Sequence, residues 1–235
     1  MDFYYVTNET CHTASGLVIV IDVLRAFSNA AYAFNAGAES ITLVSGVEEA
    51  LALKAQHPGV LVMGEVGGLP PEGFDFGNSP TEMIGQDLRG RRLIQRTGAG
   101  TQGVVRSVGA ETLFAASFVV AEATVQAVLR QNPGKVTFVI TGRDPQGEDF
   151  SCAEYLEARL RGQRPDPASY LQRVRDSIEM LLMSREKFPN LSSDLDYCTR
   201  LDAFSFAMPI TRQDGQLIMR PIAGARTQLP GTAGV

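Results

Sequence analysis

The residues Ile19-Val20-Ile21-Asp22-Val23-Leu24-Arg25-Ala26-Phe27-Ser28 give the clearest structural signal in this chain. They continue an apolar run from Leu17, and a run so rich in Val and Ile is typical of a strand covered on both faces in a parallel sheet. In such sheets, ligands bind beyond the carboxyl ends of the strands. Asp22 and Arg25 follow the strand at that end, where a carboxylate can bind a metal ion and a guanidinium can bind an anionic oxygen. The alternative is that Asp22 only caps the next helix and that Arg25 is solvated.

Strands and helices alternate along most of the chain around this stretch. The predicted strands are residues 3–6, 17–21, 40–44, 60–63, 91–94, 112–115 and 136–141, followed by a hairpin of 204–210 and 217–219. The predicted helices are one that ends at Gly37, then 47–56, 119–131, a segment through Tyr155 and Leu160, and 168–187. This alternation predicts an α/β fold with three layers, α/β/α, around a mainly parallel central sheet. We expect one domain over residues 1–235, with a frayed tail over 223–235.

Two predicted helices begin with capping signals. Ser45 and Glu48 have the spacing of a capping box before the helix at 47–56. Ser79 and Glu82 repeat that spacing, with Pro80 at the first helical position. Ser79 is therefore predicted to be a structural N-cap.

The composition is that of an ordinary globular protein, with 44% hydrophobic and 20% charged residues among 235. A net charge of −5 argues against a nucleic-acid or anionic-membrane partner, because no basic field attracts polyanions. The 3 cysteines form no CxxC pattern, which fits a reducing compartment. The first residues show no export signal and no apolar run reaches the length of about 18 residues that spans a membrane, so we expect a cytoplasmic protein.

A long irregular segment, residues 64–82, follows the fourth predicted strand. Its Gly and Pro residues exclude regular structure before Ser79, and a loop of this length at the carboxyl end of a strand is more often functional or disordered than idle. Phe74 and Phe76 argue against disorder, because disordered segments are poor in aromatic residues. We therefore expect this loop to contribute to a functional site.

Gly98, Gly100 and Gly103 match the GxGxxG fingerprint of dinucleotide-binding sites. That fingerprint belongs to a first βαβ unit with a full helix behind it, whereas here it follows roughly the fifth strand and the next strand begins about eight residues later. The pattern fits better a loop whose backbone NH groups hold a smaller anion. The side chains at the edge of this loop are Arg96, Thr97 and Thr101. A glycine-rich turn without a ligand is the structural alternative.

Five carboxylates follow predicted strands and are candidate metal ligands. They are Asp22, Glu65, Asp75, Glu148 and Asp149. Oxygen ligands from scattered loops suit Mg²⁺, which typically takes one or two carboxylates, several waters and a substrate phosphate. Each of the five, taken alone, is more often a cap or turn residue. The two histidines, His12 and His57, leave no His-rich zinc site and no Ser-His-Asp triad.

Taken together, several of these strings resemble the 2-phosphosulfolactate phosphatase family. The matching strings are Ile21-Asp22-Val23-Leu24-Arg25-Ala26, Gly64-Glu65-x-Gly67-Gly68, Gly73-Phe74-Asp75-x-Gly77-Asn78-Ser79-Pro80-x-Glu82, the Thr/Gly segment 97–103, Glu148-Asp149 and Asp194-Leu195-Asp196-Tyr197-Cys198. They cover most of the chain, and the string from Gly73 to Glu82 is the most specific. The resemblance implies an α/β/α enzyme that uses Mg²⁺ to hydrolyse the phosphate monoester of a small sulfonated hydroxy acid.

The resemblance also gives individual residues expected roles. The expected catalytic group is Asp22, Glu65 and Arg25, of which Asp22 and Glu65 are metal ligands, with Asp75, Glu148 and Asp149 as further metal candidates. The expected substrate-binding residues are Arg25, Asn78, Arg96, Thr97, Gly98, Gly100 and Thr101. The nucleophile is left open between a metal-activated water and a protein group. A phosphoaspartate at Asp22 lacks the usual D-x-D partner, because Leu24 holds the second position.

The sequence thus predicts a phosphoric monoester hydrolase with Mg²⁺ as cofactor and a small phosphorylated substrate. We expect no nucleic-acid or membrane partner and consider a homodimer as the candidate assembly. One alternative is an NAD(P)-dependent dehydrogenase that uses the loop from Gly98 to Gly103. The other is a non-catalytic binder of phosphorylated metabolites, which would bind its ligand without metal and release no phosphate.

Overall fold

The computed structural model describes residues 1–142, 144, 146–177, 188 and 190–223. Its strands are β1 Asp2–Thr7, β2 Gly16–Ile21, β3 Ser40–Leu43, β4 Leu61–Gly64, β5 Arg92–Arg96, β6 Ala110–Ala116, β7 Lys135–Ile140, β8 Phe206–Gln213, β9 Gln216–Met219 and β10 Ile222–Ala223. Its α-helices are α1 Ala26–Asn35, α2 Val47–Gln56, α3 Pro80–Met83, α4 Gly100–Arg106, α5 Ala121–Gln131, α6 Glu148–Leu160, α7 Ala168–Ser177 and α8 Leu191–Cys198.

These strands form one mixed sheet in the order β1-β7-β2-β6-β8-β9-β3-β5-β4, with β10 paired to β8. Strands β1, β7, β2 and β6 are parallel to their neighbours, and so are β3, β5 and β4. The antiparallel hairpin of β8 and β9 joins these two parallel groups. The predicted α/β/α fold with a mainly parallel sheet is therefore confirmed.

Strand β2 is covered on both faces, as its sequence predicts. Val18 and Val20 pack in a cluster with α1, whereas Ile19 and Ile21 pack on the opposite face with α5 and α6. These four side chains are fully buried. Full burial of one such side chain contributes about 1.5–3 kcal/mol, so β2 is a main anchor of the core and fixes the residues that follow it.

The two parallel groups bring different strand ends toward Asp22. Adjacent strands in a sheet rotate by about 20–25° relative to each other. Over the five steps from β2 to β5 this twist accumulates, so the two parallel groups of strands do not lie in one plane. Helices α1 and α4 contact each other. Gln95, near the end of β5, donates from Nε2 to the carbonyl oxygen of Ala26 at 2.8 Å. The segment after β5 therefore lies against the segment after β2.

The capping prediction for α2 is wrong in its details. Helix α2 covers the predicted residues, but its N-cap is Gly46, which has no side chain to accept a hydrogen bond. In the predicted capping box, the side chain of Glu48 would accept a hydrogen bond from the backbone NH of Ser45. In the structure, the next residue, Glu49, accepts that hydrogen bond instead, at 3.3 Å.

The remaining predicted elements differ mainly at their ends. Residues 118–120 form a 3₁₀ turn ahead of α5, and α7 is described only to Ser177, so the predicted continuation to 187 lies outside the described residues. The predicted tail lies outside them from residue 224 onward. The predicted hairpin is confirmed as the pair of β8 and β9, and its turn contains Asp214 and Gly215 at φ values of 50° and 77°.

All three cysteines are free and buried. Over the part of the chain that the structure describes, no helix combines the length and the apolar character needed to cross a membrane.

Candidate active site

Asp22 lies directly after β2 and is only 5% exposed. Its Oδ1 accepts a hydrogen bond from the backbone NH of Ala26, the first residue of α1, at 2.9 Å. Its Oδ2 faces Gly100, where a Cβ atom would lie 2.7 Å away. Asp22 therefore caps α1 with one oxygen and turns the other toward α4, so the capping interpretation and a ligand role do not exclude each other.

Other carboxylates surround Asp22. Burial, together with the negative charges of Glu148 and Glu65, raises the pKa of Asp22 to about 6. Burial likewise raises the pKa of Asp149 well above its ordinary value, with added repulsion from Glu148 and Asp22. The pKa of Glu148 is also raised, chiefly by burial. Four of the five predicted metal candidates, Asp22, Glu65, Glu148 and Asp149, thus lie close enough for Asp22 to be repelled by the other three, and we call them the Asp22 group.

Two members of the Asp22 group hold the backbone with both carboxylate oxygens. Glu65 accepts from the backbone NH of Gly98 at 2.5 Å and from that of Gly68 at 2.7 Å. The carboxylate thereby joins the loop after β4 to the segment after β5.

Asp149, in the first turn of α6, makes the corresponding connection between β2 and β7. Its Oδ1 accepts from the backbone NH of Val23 at 2.7 Å. Its Oδ2 accepts from the NH of Gly142 at 2.7 Å and from the hydroxyl of Thr141 at 3.0 Å. Glu65 and Asp149 therefore fix the geometry around Asp22.

The fifth predicted metal candidate, Asp75, is engaged elsewhere. Its Oδ2 accepts from the backbone NH of Val62 in β4 at 2.7 Å and forms an ion pair with Lys54 at 2.7 Å. The structure does not bring Asp75 into the Asp22 group.

The glycine segment 98–103 is not the open loop that the sequence predicts, because Gly100 begins α4. The hydroxyl of Thr97 accepts from the backbone NH of Thr101 at 3.1 Å, and the hydroxyl of Thr101 accepts from the NH of Thr97 at 2.9 Å. The NH of Gly98 donates to Glu65. These amides and hydroxyls are thus bound within the protein.

Close packing explains two of the three glycines. A Cβ at Gly100 would lie 2.7 Å from Asp22 and 2.9 Å from Ala26, and one at Gly103 would lie 2.9 Å from Val20. Because α4 is only 7 residues long and follows β5, the segment lacks the full helix of a dinucleotide site. The structure therefore favours the steric explanation of this motif over dinucleotide binding.

The two predicted anion-binding arginines differ in their surroundings. Arg25 is 5% exposed and its Nη1 lies 2.6 Å from Oδ2 of Asp194. Arg96 donates from Nη1 to the backbone carbonyl of Glu65 at 2.7 Å and from Nε to that of Ser45 at 3.1 Å. Arg96 thus holds the backbone of Glu65, while Arg25 is part of a buried ion pair.

The prediction that Ser79 caps α3 with its side chain is wrong. Ser79 is the N-cap residue, but its hydroxyl donates to Oδ1 of Asp194 at 2.7 Å instead of accepting from the helix. Glu82 accepts from the backbone NH of Gly77 at 2.6 Å, so the predicted capping box does not form. The neighbouring Asn78 is 6% exposed, and its Oδ1 has no hydrogen-bond partner among the described residues.

The sequence reasoning assigned no role to Asp194 or Asn29. Asp194 is fully buried and binds groups from two distant segments. Asn29 is also fully buried and donates from Nδ2 to the carbonyl of Gly77 at 3.4 Å. Asp194 could have been identified from the sequence because it belongs to one of the strings that resemble the family. Asn29 lies in a predicted helix, and nothing in the sequence around it indicated a role.

Within the described ranges, no three His, Cys, Asp or Glu side chains converge closely enough to hold a metal ion. The donor set nevertheless fits Mg²⁺, which commonly uses only one or two protein carboxylates. Asp22, with Oδ2 facing α4, and the half-buried Glu148 are the members of the Asp22 group best placed for this. Their repulsion is of the kind that a bound cation relieves.

Comparison with known proteins gives one consistent result. A family model described as 2-phosphosulpholactate phosphatase matches residues 5–213. A protein of Bacillus subtilis (strain 168) named probable 2-phosphosulfolactate phosphatase is 36% identical over 203 residues, which cover 85% of this chain and 88% of that protein. A protein of the same name from Carboxydothermus hydrogenoformans is 36% identical over 215 residues, covering 86% and 89%. One from Thermotoga petrophila is 34% identical over 209 residues, covering 83% and 87%.

The matched region contains the Asp22 group, both arginines and Asp194. It also contains the strings on which the sequence-based resemblance rests, so that resemblance is confirmed. The chain belongs to the 2-phosphosulpholactate phosphatase family, a family of phosphoric monoester hydrolases.

Proposed function

We propose that this chain is a Mg²⁺-dependent phosphatase that hydrolyses the phosphate monoester of a small anionic hydroxy acid. The candidate substrate is 2-phosphosulfolactate, the compound in the printed names of the relatives. Its hydrolysis consumes one water and gives sulfolactate and phosphate.

The Asp22 group carries this proposal. Asp22 and Asp149 are buried, and neighbouring carboxylates help to raise the pKa of both. Carboxylates whose pKa is raised in this way are concentrated at functional sites. Asp22 is the centre of this group, because it repels Glu148, Glu65 and Asp149 and lies at the carboxyl end of a central strand. A structural cap alone would not require three further carboxylates around it.

Asp22 and Glu148 are the residues that would hold Mg²⁺. The ion would neutralise phosphoryl charge and activate water or orient the nucleophile when bound. Glu65 and Asp149 would instead keep the surrounding backbone in place through their N–H contacts. Arg96 would act indirectly, because it donates to the backbone carbonyl of Glu65 and so helps to hold Glu65 in place.

Arg25 is the residue that we assign to an anionic group of the substrate. It lies three positions after Asp22, on the same turn that leaves β2, so one short segment supplies a carboxylate and a guanidinium. A guanidinium binds carboxylate, phosphate or sulfonate oxygens in a planar, two-pronged geometry.

Phosphate release from a panel of phosphorylated hydroxy acids tests this proposal. We expect release with Mg²⁺, loss of release in EDTA, and the highest kcat/KM for a substrate with a second anionic group. Release that is unaffected by EDTA would contradict the metal requirement, and no release from any member of the panel would contradict the activity. An NADH titration in the same buffer serves as the control, and we expect no binding.

A further inference from the structure

Asp194 lies in the first turn of α8 and is fully buried. It is separated by 169 residues from Arg25 and by 115 residues from Ser79, yet it contacts both. The Asp22 group does not include it.

The two oxygens of Asp194 bind two different parts of the site. Oδ1 accepts from the hydroxyl of Ser79 at 2.7 Å and from the backbone NH and hydroxyl of Thr81 at 3.0 and 2.7 Å. Oδ2 accepts from Nη1 of Arg25 at 2.6 Å. One carboxylate thus connects α8, the start of α3 and the turn after β2.

The surroundings of Arg25 leave its side chain little freedom. The guanidinium lies between Asp194 and the ring of Phe188, whose centroid is 5.3 Å from Cζ. The side chain is 5% exposed. A long, flexible side chain that is held in one orientation before the ligand arrives loses less conformational freedom on binding.

We infer that Asp194 is a positioning residue for substrate binding, which orients the guanidinium of Arg25 toward an anionic group of the substrate. This inference rests on the proposed function and adds α8 to the elements that build the site. The same carboxylate holds Ser79 and Thr81, so the segment next to Asn78 is fixed together with Arg25.

The variant Asp194→Asn tests this role, because the amide keeps the shape of the side chain and removes its charge. We expect kcat/KM for the preferred phosphate monoester to fall about 10- to 100-fold, mainly through KM, as expected for the loss of one well-oriented charge-assisted contact. We expect the affinity for inorganic phosphate, measured by calorimetry, to fall in parallel. A folded variant with unchanged KM and unchanged phosphate affinity would overturn the inference.

A double-mutant cycle separates positioning from a merely structural role. If Asp194 acts through Arg25, the double variant Arg25→Ala, Asp194→Asn has the same KM as Arg25→Ala alone. If the two substitutions instead raise KM independently, so that their fold-changes multiply in the double variant, the inference is overturned. The matched control is Glu122→Gln, which breaks the partly buried ion pair between Glu122 on α5 and Arg159 on α6 and should leave KM unchanged.

Where Asp194→Asn does not fold, Thr81→Val takes its place. This variant removes one donor to Oδ1 of Asp194 and keeps the ion pair between Asp194 and Arg25. We therefore expect a smaller rise in KM and a smaller loss of phosphate affinity than in Asp194→Asn. No change in either quantity would overturn the inference. Wild-type protein that binds phosphate through Arg25 but releases none from any ester would contradict the proposed function and not the role of Asp194.

Discussion

At the scale of single residues, Asp22 performs two tasks with two oxygens. Oδ1 satisfies the first backbone NH of α1, while Oδ2 faces α4 within a group of carboxylates. Strand-ending Asp residues are often caps, and that frequency made the sequence ambiguous at this position. The structure shows that Asp22 caps α1 with one oxygen while its other oxygen lies against Gly100 of α4.

Ser79 gives the first prediction at this scale. Because its hydroxyl donates to the buried carboxylate of Asp194, we expect Ser79→Ala to reduce the free energy of unfolding by about 1.5–3 kcal/mol, the range for hydrogen bonds to charged groups. An N-cap that used its side chain would cost only about 1 kcal/mol. Urea denaturation measures the difference, with Ser45→Ala as control, because the half-buried Ser45 hydroxyl has only a long contact of 3.5 Å with the exposed carboxylate of Glu49. A loss equal to that of the control would contradict the assigned hydrogen bond.

At the scale of secondary-structure elements, the sequence was most informative where hydrophobic patterns are local. The strands and most of the helices were predictable because alternating burial and turn residues mark them directly. Helix α4 was missed because the interval between Gly103 and the next predicted strand was too short to suggest a full helix, and because its glycines resemble those of an anion-binding loop. The position of the β8–β9 hairpin between β6 and β3 could not be predicted either, because strand order depends on pairings distant in sequence.

Gly64 gives the prediction at the element scale, since it allows β4 to approach β5 just before Glu65. Its φ is +137°, and a Cβ atom there would overlap the carbonyl oxygen of Arg96. We expect Gly64→Ala to cost about 1–3 kcal/mol more than Gly59→Ala, measured by urea denaturation. Gly59 is the matched control because it has a φ of +88° and open space around it. Equal losses in the two variants would show that the contact between these strands tolerates a side chain.

At the scale of the whole molecule, the site depends on contacts that no local pattern reveals. Asp194 reaches Arg25 across 169 residues, and Asp149 reaches Val23 across 126. The sequence identified most of the carboxylates because they follow strands, but it could not distinguish Glu65 and Asp149, which hold the backbone, from Asp22 and Glu148. It also placed Asp75 in the group, although Lys54 engages that side chain.

From the proposed metal site in the Asp22 group we expect the stability of the whole protein to depend on pH and on Mg²⁺. Because the pKa of Asp22 is raised to about 6, the folded protein binds protons more readily than the unfolded chain. Stability of the metal-free protein should therefore rise as the pH falls from about 7 to about 5.5. We expect the Tm in EDTA to increase over this range and the increase to shrink in Mg²⁺, which favours the charged carboxylates. Scanning calorimetry at both pH values measures this, and a Tm in EDTA that falls with pH would contradict it.

The most direct test of the account is phosphate release by Asp22→Asn compared with wild type at saturating Mg²⁺. The amide keeps the size of the side chain and can still accept from Ala26, but it lacks the charge that a hard cation requires. We predict a folded variant with a Tm near that of wild type and no Mg²⁺-dependent phosphate release. A variant that is equally stable and hydrolyses the substrate at the wild-type rate would show that Asp22 is only a helix cap.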